Sequence, residues 1–174
     1  MNFEEIVKIP DERKGVLLGK KKKMKEIIEK MGGVELRVRG GAVIVSGKDS
    51  IKVMKAAEVV KAIGFGFNPY DAFELFREDT QFVIYDIEEA VVSQKDVKRQ
   101  VGRIIGEGGR AKRFFEKALG IKIVVRGEKV GAIGTPEKLE IFREALEKLV
   151  HGSPHASVYR YVERRLASLR ELNI

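Results

Sequence analysis

The sequence predicts an α+β protein in which one unit of order β-α-α-β-β-α occurs twice and a last helix follows. Three observations carry this. Residues 15–64 superpose without a gap on the residues 87 positions later. Five glycines then fall in register: Gly15, Gly19, Gly33, Gly40 and Gly47 match Gly102, Gly106, Gly120, Gly127 and Gly134. Glycine marks places where a chain turns with positive φ or where backbones pass close together. In both copies the apolar spacing also switches from a helical to a strand period. A period this long describes a duplicated domain, since solenoid repeats run about 20–50 residues.

In the first unit a strand over 3–9 precedes a short helix over 11–18. Met24, Ile27, Ile28 and Met31 recur at i, i+3, i+4 and i+7, one buried face of a second helix. Gly33 stands where a helix C-cap glycine belongs. Val34, Leu36 and Val38 alternate as a half-buried strand, and Arg39-Gly40-Gly41 is a turn. A strand over 42–45 and a helix over 50–63 close the unit. The second unit repeats the order, with a strand over 81–86 and a helix from about 95 to 105. Its next helix carries Ala111, Phe114, Phe115 and Ala118 and ends at Gly120. A strand through Ile121, Ile123 and Val125, a turn at Arg126-Gly127-Glu128-Lys129 and a strand over 130–133 follow. Thr135 is the expected N-cap and Pro136 the first residue of the closing helix. That helix turns Leu139, Phe142, Leu146 and Leu149 to one face. Val158, Val162, Leu166, Leu169 and Leu172 form the stripe of a C-terminal helix. The stripe packs on the second unit or between units, or else forms an arm facing RNA or a partner.

Charge divides the chain in the same places. The 174 residues carry a net charge of +8. Residues 1–64 hold +6, residues 65–90 hold −6 and residues 91–174 hold +8. The expected domains are therefore 1–64, an acidic connector with a short helix over 65–80, a second domain over 81–152 and a terminal helix over 153–174. Basic segments attract polyanions. The hydrophobic share, 44%, supports real cores. There is no cysteine, which removes disulfides, thiolate metal sites and thiol nucleophiles. No apolar run approaches the ~18 residues of a membrane span, and Met1-Asn2-Phe3-Glu4-Glu5 is not an apolar signal segment. A cytoplasmic protein without membrane contact is expected. No cofactor or metal is expected either: His151 and His155 stand alone, with Gly152 and Pro154 between them.

The chemistry concentrates at Ile104-Ile105-Gly106-Glu107-Gly108-Gly109-Arg110, between the first two helices of the second unit. This resembles the Gly-x-x-Gly loop of KH domains, and β-α-α-β-β-α is the order of type I KH domains. The resemblance implies two tandem type I KH domains, each a three-stranded antiparallel sheet packed on three helices. Such a loop clamps the backbone of about four nucleotides. Bare glycines let a sugar-phosphate chain approach, and the following helix directs N–H groups at phosphate. Arg103, Arg110, Lys112 and Arg113 would add charge, and Ile104 and Ile105 an apolar floor for bases. Ile123 and Arg126 would form the opposite wall. KH loops often carry basic residues at the two variable positions. Here they are Glu107 and Gly108, and Glu107 repels phosphate unless it points away. The first unit has Gly19-Lys20-Lys21-Lys22-Lys23 instead, with Lys22 at the second glycine's place. These lysines either touch phosphate without sequence selectivity or form a solvated run on a packing module.

Two KH units, the first degenerate and the second intact, resemble the archaeal and eukaryotic partner-of-Nob-one family of pre-ribosomal KH proteins. Val150-His151-Gly152-Ser153-Pro154 followed by Ser157-Val158-Tyr159 is similar to the family's signature after the last KH helix. The short N-terminus resembles archaeal members. The resemblance implies no enzyme, but a protein of ribosome biogenesis and rRNA processing that binds single-stranded small-subunit rRNA near its 3′ end. It also implies contact with the endonuclease that matures that end, and with the α subunit of the initiation factor carrying initiator tRNA. Two other readings compete. One is a KH-fold protein-interaction scaffold linked to that initiation factor. The other is a dinucleotide-binding oxidoreductase, because Gly106-x-Gly108-x-x-Ala111 with Glu128 downstream fits that fingerprint. The fingerprint requires a strand before it, and a basic helical stretch stands there instead.

Overall fold

A computed structural model of the chain describes residues 1–91 and 94–173. Ile174, the end of the expected terminal segment, and Val92 and Ser93, inside the expected second domain, lie outside the described residues. The chain divides into two compact units, Met1–Phe82 and Val83–Ile174.

The first unit contains β1 (Phe3–Lys8), α1 (Asp11–Leu18), a 3-10 turn (Lys20–Lys22), α2 (Lys23–Gly32), β2 (Glu35–Arg39), β3 (Ala42–Gly47) and α3 (Ser50–Phe65). Its sheet has the order β1-β3-β2, with β3 antiparallel to both neighbours. Val7, Leu36, Val43 and Val45 turn to the helix side and are buried with Leu17, Ile28, Val53 and Val60. Helix α3 begins at Ser50, where the sequence places it, and runs two residues further, to Phe65. Asp49 is its N-cap, and the carboxylate accepts from Ile51 N at 2.9 Å and Lys52 N at 3.3 Å.

The acidic stretch is not a bare connector. It forms α4 (Pro69–Ala72) and a 3-10 turn (Phe73–Phe76), and it folds onto the first unit. Phe67, Ala72 and Leu75 are buried. Lys55 Nζ donates to the carbonyls of Arg77 and Thr80, both at 2.9 Å. The charge count concealed this apolar set, which precedes and interleaves with the carboxylates in sequence.

The second unit completes β4 (Gln81–Asp86) and adds α5 (Ile87–Ala90), α6 (Gln94–Ile105), a 3-10 turn (Glu107–Gly109) and α7 (Arg110–Leu119). It continues through β5 (Lys122–Arg126), β6 (Lys129–Gly134), α8 (Pro136–Val150) and α9 (His155–Leu172). The sheet order is β4-β6-β5, with β5 and β6 antiparallel. Thr135 is the N-cap of α8 and Pro136 its first residue, but the Thr135 side chain makes no capping bond. Phe115 and Phe142 meet edge to face at 5.4 Å in the core. Such a pair adds about 0.5–1.5 kcal/mol beyond its buried area. The α9 stripe joins this core through Val158, Val162 and Leu166, so the terminal helix is part of the second unit. Arg165 Nη2 reaches Glu144 of α8 at 3.0 Å, and Tyr161 donates its hydroxyl to the same carboxylate. Among the described residues no helix is long and apolar enough to cross a membrane.

Candidate nucleic-acid interface

The repeat persists at the level of single dihedrals. Gly106 sits at φ 79, ψ 165 and Gly19 at φ 71, ψ 179. Gly108 and Gly109 are left-handed at φ 60 and φ 78. Their counterparts Lys21 and Lys22 are left-handed too, at φ 54 and φ 60. Each loop is closed by the same bonds. Gly106 N donates to Gly102 O at 2.8 Å and Gly109 N to Gly106 O at 3.0 Å. Gly19 N donates to Gly15 O at 2.9 Å and Lys22 N to Gly19 O at 3.2 Å. The lysines thus change what stands on the first loop and leave its path intact. Left-handed backbone costs an L residue roughly 1–2 kcal/mol, which the surrounding helices of the first unit must offset.

Gly106 and Gly108 of the second loop are glycine for different reasons. A Cβ on Gly106 would lie 2.6 Å from Ala111 N and 2.8 Å from Ala111 Cβ. Only glycine fits there. Around Gly108 a Cβ would meet nothing within 4 Å. Glycine at that place leaves bare backbone facing outward, which suits a ligand that must come close. The N-cap of α7 is Gly109, without a side-chain capping bond. The first turn of α7 therefore keeps N–H groups and the positive dipole end available to an anion.

The side chains expected around the loop divide. Arg110 is exposed at the start of α7, and Lys112 is half-buried with Glu116 at 3.8 Å. Arg113 Nη1 donates to Gly108 O at 2.6 Å and braces the loop from outside. Glu107 is exposed, Ile105 is half-buried at the end of α6, and Arg126 is half-buried at the end of β5. Lys20, Lys21, Lys22 and Lys23 are exposed on the first loop.

Three expected contacts are core or framework residues instead. Ile104 is fully buried, because its helical phase matches Val97 one heptad earlier. Ile123 is buried because it shares the helix-facing side of the sheet with Val125 and Ala132. Arg103 points away from the loop. Its guanidinium donates to the carbonyls of Leu149 and Ser153, and its own carbonyl meets His155 Nε2 at 2.8 Å. Three groups thus fasten the end of α6 to the turn between α8 and α9. An Arg103→Met variant should lose about 1–3 kcal/mol of stability, because two carbonyls lose charged donors. Arg110→Met should stay within about 0.5 kcal/mol. Urea unfolding of both variants checks this, and equal midpoints would refute the clasp.

Two further residues stand beside the loop, although the sequence pattern alone does not assign them to it. Glu116 accepts from Ile123 N at 3.2 Å, and its repeat partner Glu29 accepts from Leu36 N at 2.9 Å. Each carboxylate ties a helix, α7 or α2, to the edge strand that follows it, β5 or β2. The signal was present, since Glu29-Lys30 and Glu116-Lys117 fall in register. Gly102 is the other: a Cβ there would meet nothing within 4 Å, so the last turns of α6 offer a flat surface beside Ile105. Tyr159 of α9 stacks on Phe114 with ring centroids 4.1 Å apart. Burial pushes its hydroxyl pKa up, while the Arg110 guanidinium pulls it down by a smaller amount. Helix α6, not a strand, leads into Gly106, which removes the structural context of a dinucleotide fingerprint.

Residues 81–167 match the family of the second KH domain of PNO1, described as a eukaryotic type KH-domain (KH-domain type I). The chain is similar to a KH domain-containing protein of Methanocaldococcus jannaschii, 39% identical over 95% of this chain and 75% of that protein. It is also similar to the pre-rRNA-processing protein pno1 of Schizosaccharomyces pombe, 31% identical over 71% of this chain and 52% of that protein. The chain thus spans three quarters of the archaeal relative and about half of the fungal one. Among solved structures, it resembles a chain in the a/eIF2alpha-aDim2p-rRNA complex of Pyrococcus horikoshii. The TM-score is 0.86 and the identity 40%, covering 94% of each chain.

Proposed function

The chain belongs to the PNO1 family of KH proteins, and from that premise we propose that it is a non-catalytic RNA-binding factor of small-ribosomal-subunit assembly. The second unit takes single-stranded RNA. Gly106, Glu107, Gly108 and Gly109 clamp the backbone, and Arg110 and Lys112 supply positive charge beside it. Ile105 and Gly102 carry the bases, and Arg126 closes the far side of the groove. The observation that carries this reading is the bare left-handed pair Gly108 and Gly109 leading into an uncapped helix N-terminus. Backbone N–H groups there match a phosphate in both charge and geometry. The first loop, Gly19 with Lys20, Lys21, Lys22 and Lys23, adds contacts of point-charge type without base readout.

The RNA we propose is the 3′ region of small-subunit rRNA. The names of the relatives support rRNA as the class of ligand, since one is a pre-rRNA-processing protein and another is seen in a complex with rRNA. The same complex contains the initiation factor's α subunit, which supports that protein as a partner here. An adaptor role toward the maturation endonuclease completes the proposal, in the cytoplasm. Competition at near-physiological salt tests it. An oligonucleotide with the 3′-terminal rRNA sequence should displace bound RNA at a concentration at least ~10-fold lower than unrelated RNA of equal length, because base contacts add to the shared phosphate term. Equal competition would overturn the specific reading and leave a scaffold with incidental RNA affinity.

A further inference from the structure

The internal repeat shows what covers one face in the second unit and leaves that face open in the first. Helices α2 and α7 match residue for residue at the 87-residue offset. On α7, Phe114 and Ala118 form a side stripe that packs into the second core. Helix α9 lies over it, with the Tyr159 ring 4.1 Å from Phe114. On α2 the same stripe is Ile27 and Met31, which are 37% and 52% exposed. The chain that follows α3 makes only α4 and the 3-10 turn, where the second unit has an 18-residue helix. An aromatic row reaches the C-terminal end of α2. Tyr70 and Phe73 have ring centroids 5.7 Å apart, and Phe73 and Phe76 are 6.0 Å apart. Phe76 lies against Gly32, where a Cβ would be 3.0 Å from its ring, and Tyr70 at the far end is 67% exposed.

We propose that the face formed by Ile27, Met31 and the Tyr70–Phe73–Phe76 row is a docking site for an amphipathic helix of a protein partner, seated on α2 as α9 is seated on α7. The α9 sequence itself gives the chemistry of a fitting occupant. It combines an apolar stripe with Arg160, Arg164, Arg165 and Arg170 against Glu163 and Glu171, a basic balance. From Tyr70 to Asp79 the chain carries Asp71, Glu74, Glu78 and Asp79 against Arg77, which pairs with Glu74 at 3.7 Å and Asp79 at 3.3 Å, so the carboxylates stay in excess. A helix with basic flanks complements these carboxylates, and an RNA phosphate chain is repelled by them. Apolar anchors at i, i+3, i+4 and i+7 are the usual means by which a groove reads such a helix.

The probe is a synthetic peptide with the sequence of residues 154–172, added to the full chain carrying 13C-labelled methionine methyls. Met31 should shift saturably, with Met1 as an internal control. Ile27→Glu with Met31→Glu removes that reporter, so peptide affinity for this double variant is read by fluorescence anisotropy. It should fall at least ~10-fold, and because both side chains are exposed the unfolding midpoint should stay unchanged. A peptide with Asp in place of Val162 and Leu166 should not shift Met31, and neither should a polyuridine oligonucleotide. No saturable shift at Met31, or an equal shift with the RNA, would overturn the proposal. RNA binding by the second unit is measured separately, so failure here leaves the RNA reading standing.

Discussion

Replacing Glu107 and Gly108 together by aspartate should lower RNA affinity roughly 10- to 100-fold while the chain stays folded. The fold should survive for three reasons. A Cβ at Gly108 meets nothing within 4 Å. Aspartate tolerates the left-handed region better than most residues. Two carboxylates at the start of α7 also complement the helix dipole. The loss of affinity is electrostatic. A phosphate drawn to the N–H groups of α7 would pass within about 5 Å of the new carboxylate. At an effective dielectric near 20 that repulsion is about 3 kcal/mol, and salt reduces it. Roughly 1.4–2.8 kcal/mol corresponds to the stated range. Fluorescence anisotropy with a short single-stranded oligonucleotide measures it. Undiminished affinity in a folded double variant would remove the loop from the RNA contact.

Much of this fold was legible because the chain states it twice. The boundaries of α2 and α7 follow from Gly33 and Gly120, which adopt φ 64 and φ 63 as C-caps of matching helices. The loop was legible for the same reason, since glycine spacing and the neighbouring helical periods agree. What failed was the rotation of single side chains. Ile104 and Ile105 are 100° apart on one helix, so they cannot both face the groove, and the spacing from Val97 to Ile104 already marked the buried one. Alternation through Ile121, Ile123 and Val125 likewise put Ile123 on the core side. The motif marks the loop, and the periodicity of the flanking helix and strand decides which side chains face it. Arg103 was different. Its partners are the carbonyls of Leu149 and Ser153, 46 and 50 residues away, and no local pattern encodes a clasp of that span. The acidic stretch misled through composition. Its carboxylates dominate the charge count, and its buried apolar residues, Phe67, Pro69, Ala72 and Leu75, are few and irregularly spaced.

The reuse of one backbone path by two different sequences predicts an inversion of the usual size rule. Gly106→Ala adds one methyl group, and Gly109→Lys adds a long charged side chain. The smaller change should nevertheless cost more stability. At Gly106 the backbone occupies a region that essentially only glycine enters, and the new Cβ would stand 2.6 Å from a backbone nitrogen. Neither the dihedral nor the neighbour can yield without moving α7, so the cost should be about 2–4 kcal/mol. At Gly109 a Cβ meets only the tip of Arg113 at 3.0 Å, and a flexible tip can move. Lys22 already occupies the equivalent place at φ 60, ψ 20, so the cost there should stay near 1–2 kcal/mol. Amide hydrogen exchange in α6 and α7 distinguishes the two, because it reports the second unit separately from the first. Protection should fall further in Gly106→Ala than in Gly109→Lys. The opposite order would mean that the first loop tolerates its lysines through contacts peculiar to that unit, and not because this backbone path accepts any residue beyond its first glycine.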